Sequence, residues 1–124
     1  VHKYHQVKKD IINSINAINA KGIIILHDCL PSNVYAQAIP RCQFDWNGDI
    51  WKVITEFRTH KDLDIYTCYA DQGIGAIFNR SNRNLLEIQK VNFIKMSFKD
   101  YFNNYKKYMN LINYNELMNI VKDY

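Results

Sequence analysis

Gly22-Ile23-Ile24-Ile25-Leu26-His27-Asp28-Cys29-Leu30-Pro31 constrains this chain more than any other stretch. Four branched apolar residues follow a glycine without interruption, and two ionisable side chains then meet a proline. An unbroken apolar run bounded by turn signals predicts a strand buried on both faces, as in a parallel sheet with helices above and below. Ligands of open α/β sheets gather outside the carboxyl ends of the strands. His27 and Asp28 stand at that end, so the run presents a polar pair where function is expected.

The flanking segments extend the pattern. Residues 2–20 read as a helix, with Val7, Ile11, Ile15 and Ile18 on one face, Ile12 widening the stripe, and Lys21-Gly22 as the stop. A helix joined so closely to a buried strand is half of a β-α-β unit and calls for an earlier strand ahead of Val1. The chain is therefore expected to be a fragment. Residues 31–48 form an irregular stretch with Pro40, Cys42, Phe44 and Trp46, long enough to act as a lid or substrate wall. Residues 49–59 predict a second helix with Ile50, Val53, Ile54 and Phe57 inward and Asp49 favourable to its dipole. Residues 63–69 and 74–78 are β-type runs, and Ala70-Asp71-Gln72-Gly73 makes them a hairpin. Residues 81–92 read as a polar, asparagine-rich connector with a helical piece. Two helix patterns follow, one marked by Phe98, Tyr101, Phe102, Tyr105 and Met109, the other by Leu117, Ile120 and Val121.

The order of helix, strand, long loop, helix and hairpin carries a family resemblance. His2-Lys3-Tyr4 with Val7 and Asp10 resembles the DGxHxYxxVxxD segment after the fourth strand of class I S-adenosylmethionine-dependent methyltransferases. Ile25-Leu26-His27-Asp28 resembles the HD ending of their fifth strand. Trp46 to Lys52 and Asp71 to Gly75 resemble GDVWK and DxGxG segments of a bacterial subgroup associated with sugar or secondary-metabolite methylation. The match covers about residues 1–80. It implies an α/β fold, the C-terminal half of the Rossmann-like methyltransferase domain, whose terminal hairpin sends its last strand, antiparallel, beside the strand that precedes the long loop. Residues 81–124 would be a connector and a helical C-terminal extension. The family's glycine-rich loop and its ribose-binding acidic residue have no counterpart here. None of the four glycines forms a GxGxxG before a helix.

What the resemblance implies for chemistry is specific. Asp28 matches the aspartate that ligates metal in metal-dependent members, and a hard carboxylate suits Mg²⁺. His27 is the candidate catalytic residue, as a general base titrating near neutrality or as a further ligand. His2 is the candidate on the cofactor side, because its segment and that of His27 should be neighbours. Each has a plainer reading: Asp28 caps a turn, His27 is a hydrogen-bonded structural histidine, Asp71 and Gly73 serve hairpin geometry. His5 and His60 read as surface residues. Trp46 and Trp51 read as anchors, and the aromatic tail as packing surface or a dimer contact.

Composition narrows the class. Sixteen basic residues give a net charge of +4, but they are scattered, which argues against a nucleic-acid stripe. No apolar run approaches the roughly 20 residues of a membrane span, and three cysteines without CxxC spacing fit reduced thiols in a cytoplasmic protein. The expected function is a part of an S-adenosylmethionine-dependent methyltransferase acting on a small molecule or sugar, contributing the substrate side of the cleft and inactive alone. The alternative is a non-catalytic interaction or dimerisation module that keeps the fold's C-terminal layers and pairs, as a homodimer, through an open sheet edge.

Overall fold

The computed structural model describes residues 2–89 and 91–124. The fold is mixed α/β: α1 (Tyr4–Ala17), β1 (Ile23–Leu26), α2 (Ile50–Phe57), β2 (Asp64–Cys68), β3 (Ile74–Phe78), a 3-10 turn (Phe93–Lys95), α3 (Phe98–Tyr108), β4 (Leu111–Ile112) and α4 (Tyr114–Asp123). The sheet runs β1-β3-β2-β4. β3 lies antiparallel to both β1 and β2, with Ile77 opposite Ile24 on one side and Ile65 on the other, while β4 adds parallel to β2. The hairpin thus places its second strand in the middle of the sheet.

Side chains alternate along these strands, and each face has its own cover. Ile24, Leu26, Ile65 and Ile77 pack into one core with Val7, Ile11, Trp51, Ile54 and Met109 from α1, α2 and the end of α3. Ala76, Phe78 and Cys68 face the other way, against Leu117, Met118 and Tyr124 of α4 and the C-terminus. Helices therefore stand above and below the sheet, as the apolar run implied. The chain end is tied back to the start of β1, because Tyr124 donates its hydroxyl to the Gly22 carbonyl at 3.0 Å and Lys21 donates to the Tyr124 carbonyl at 2.6 Å.

Three expectations need correction. β1 is not buried on both faces: Ile25 is 60% exposed and its neighbours are half-buried. Among the described residues β1 pairs only with β3, so it is an edge strand, and α4 covers Ile23 but not Ile25. An apolar run reports the preference of its residues, not the presence of a neighbour. The connector holds no helix among its described residues until the 3-10 turn; Lys90 lies outside them. Side-chain bonds hold it instead, with Asn82 donating to the Arg58 and His60 carbonyls. Finally, Asp49 does stand at the start of α2, but it does not serve that helix alone, and its carboxylate makes no cap bond there. It accepts from the Tyr4 backbone N–H at 2.7 Å, so it satisfies the start of α1, forty-five residues away.

The cysteines differ in environment. Cys29 is fully buried, and burial pushes its thiol up to about 12; burial raises Cys68 as well, whereas Cys42 is exposed. The thiolate is the reactive form. Brief treatment of the folded chain with iodoacetamide is therefore expected to label Cys42 alone, and treatment in urea all three, read by intact mass. Fast native labelling of Cys29 would contradict the packing of β1 on the hairpin.

Candidate functional site

The chain beyond β1 is fixed against the hairpin turn. Cys29 donates its N–H to the Gly73 carbonyl at 3.0 Å and Leu30 donates to Gln72 at 2.9 Å, continuing the sheet ladder past the strand end. Gly73 takes a φ of +90°, and a side chain there would run into Leu30. Asp28 itself sits in the left-handed region, at φ 60°, a conformation that aspartate tolerates better than most residues. This geometry turns the Asp28 carboxylate inward, with its side chain 13% exposed, and leaves His27 at the rim, 59% exposed.

Four ionisable side chains form a string. His2 Nε2 lies 2.5 Å from Asp28 Oδ2, His27 Nδ1 lies 3.0 Å from Asp28 Oδ1, and His27 Nε2 lies 2.7 Å from Asp71 Oδ2. The structure therefore brings together all three residues singled out in the sequence: His2, His27 and Asp28. It adds Asp71, which the sequence offered as a turn residue and as the start of the DxGxG-like segment but not as a site residue. No local pattern links residues 27 and 71; the signal was that both flank strands that become neighbours. Trp46 packs tilted on His2, 5.4 Å between ring centres, and anchors the long loop by donating Nε1 to the Ala38 carbonyl at 2.8 Å. Trp51 is fully buried, and His5 and His60 are exposed.

The hydrogen bond to Asp71, followed by the charge of Asp28, raises the His27 pKa above the ordinary imidazole value. An imidazole held between two carboxylates favours its cation, which donates from both nitrogens. In this geometry His27 is an acid or an electrostatic clamp. Because the folded pKa is raised, the clamp's stabilisation is complete below about pH 6.5, the unfolded value, and is lost as pH rises through the folded value. Solvent screening keeps that contribution small at so exposed a group. In an NMR titration, Asp71→Asn and Asp28→Asn are each expected to lower the His27 midpoint. An unchanged midpoint in Asp71→Asn would remove the pair.

Asp71 also opens onto a cleft of about 370 Å³. Pro31, Tyr69 and Asp71 line one side, and Phe98, Tyr101, Phe102 and Tyr105 of α3 line the other. The aromatic stripe of the tail, read as packing surface, is in part a wall of this cleft. Of the long loop 31–48, only Pro31 and Ser32 reach it. The loop instead folds on itself through Asn33, which accepts from the N–H groups of Tyr35 and Ala36, and through Ala36, which accepts from Asn47.

The donor set does not suit Mg²⁺. Both oxygens of Asp28 are engaged by imidazoles, and magnesium prefers several oxygen ligands in near-octahedral array. Among the described residues no group of three or more His, Cys, Asp or Glu is disposed to hold a metal ion. No helix among them is long and apolar enough to cross a membrane. No family model, no curated protein and no solved structure matches the chain.

Proposed function

We propose that this chain forms the substrate side of the cleft of an S-adenosylmethionine-dependent methyltransferase acting on a small molecule or sugar. The observation that carries the reading is the sheet order, in which β3 runs antiparallel between β1 and β2. That is the arrangement of the terminal hairpin in the family the sequence words resemble. The His27-Asp28 pair at the carboxyl end of β1, beside an open cleft, adds to it. S-adenosylmethionine, when bound, would supply the methyl group. His2, fixed by Asp28 and backed by Trp46, would face it, and His27 would hold or release a proton at the acceptor. Most contacts to the cofactor are assigned to residues outside these 124, since none of them forms a glycine-rich loop before a helix.

The test uses the polypeptide carrying this sequence as its source cells make it, captured by antibody and irradiated with methyl-tritiated S-adenosylmethionine. Labelling that S-adenosylhomocysteine competes away is expected. Absence of labelling would overturn the reading and favour the second one, an interaction module. That alternative rests on the edge strand β1, whose open backbone edge among the described residues invites a partner strand and whose Ile25 side chain is exposed beside it. It predicts a homodimer that Ile25→Lys dissociates in sedimentation velocity.

A further inference from the structure

The cleft between the hairpin turn and α3 combines two features that select a ligand class. Its walls are aromatic. Phe98 and Tyr101 stack at 5.4 Å with 25° between their planes, Tyr105 continues the row at 5.8 Å, and Phe102 and Tyr69 are about two-thirds exposed beside it. Tyr101 itself is buried, so the exposed Phe102 and Tyr69 rings are the ones that offer faces to a flat or ring-shaped ligand, and their electron-rich faces attract cations. Its charge is of one sign: Asp71 is the one charged side chain lining the cleft among the described residues. Asp71 Oδ2 accepts from His27, which leaves Oδ1 as an acceptor for a ligand donor. Asp28 is shared between His2 and His27, whereas Asp71 faces His27 alone and keeps one oxygen toward the cleft. The volume falls within the roughly 300–1,000 Å³ of small-molecule sites.

We infer that this cleft binds a small ring-bearing ammonium compound, with the ring against the α3 aromatics and the ammonium on Asp71. As a description of the methyl acceptor this rests on the reading above; as a binding site it does not, and it is tested by binding alone. An aromatic amine and an amino sugar share this chemistry. Tyramine and glucosamine are therefore titrated into the isotope-labelled chain, against 4-ethylphenol and glucose as uncharged counterparts.

Shifts of the Phe102 and Tyr69 signals are expected with tyramine or glucosamine, at an affinity roughly three- to tenfold above the matching neutral compound, the size of one ordinary net hydrogen bond at a solvent-exposed carboxylate. The stronger of the two amines identifies the ring. Asp71→Asn, which keeps an αL-tolerant side chain, is expected to abolish that advantage. Phe102→Ala, at an exposed position, is expected to weaken amine and neutral compound alike. Equal affinity for charged and neutral probes would overturn the ammonium assignment. Absence of shifts with all four, or shifts that depend on protein concentration alone, would overturn the site and point to a contact between copies.

Discussion

Asp64→Ala is expected to destabilise the fold by about 3–5 kcal/mol, the range seen when one partner of a buried ion pair is removed. Asp64 opens β2 and is fully buried. Its carboxylate accepts from Arg80 Nε at 2.7 Å, from the Tyr66 hydroxyl at 3.0 Å and from the Arg83 backbone N–H at 3.1 Å. Without it three donors lose their acceptor, and the Arg80 guanidinium, its side chain 15% exposed and its Nη2 already without a partner among the described residues, is left as a largely desolvated charge. Arg58, beside the same carboxylate, reaches the Asn84 and Lys107 carbonyls, so the loss also loosens the connector and the end of α3. Domains of this size have only about 5–15 kcal/mol in total. Urea unfolding measures the cost. Arg80→Met combined with Asp64→Ala should recover part of it, because the orphaned charge goes too. A single substitution costing under 1 kcal/mol would mean that water reaches the site.

That network shows where sequence reading stops. The hairpin was legible because Ala70-Asp71-Gln72-Gly73 forces a turn between two β-type runs, and Asp71 and Gly73 do adopt positive φ. The tail helices were legible from spacing, and each opens with a capping box, Ser97 with Asp100 and Asn113 with Glu116. β4 has two residues and follows a left-handed Asn110, too short to leave a period in the sequence. Asp64 with Arg80, Asp49 with Tyr4, and His27 with Asp71 are polar pairs made across the fold, and such pairs leave no local pattern. Of the site, the residues at the end of β1 were readable because an apolar run that stops at His-Asp is unusual. The cleft was not, because its wall is an ordinary amphipathic aromatic stripe until the hairpin turn stands opposite it.

Gly48→Ala is expected to cost about 2–4 kcal/mol, more than left-handed strain alone, which is roughly 1–3 kcal/mol. Gly48 has a φ of +64°, so any side chain there carries that strain. A methyl group would in addition overlap the His2 carbonyl oxygen and lie 2.7 Å from the His2 carbonyl carbon. Backbone cannot yield as a flexible side chain would. That same carbonyl accepts from the Asp49 N–H at 3.0 Å, while Asp49 holds the Tyr4 N–H, so displacing His2 breaks the start of α1. It also draws His2 away from Asp28 while leaving His27 on Asp71. The expected signature is a lowered unfolding midpoint in urea together with a changed His2 ring signal and a His27 titration that still reports Asp71. Gly48→Asn separates the two causes, because asparagine tolerates the left-handed region but still carries a Cβ. If it restores stability, strain was the whole cost. If it remains destabilised, close approach of the long loop to His2 is what requires glycine, and the loop sets the position of the candidate site through this contact.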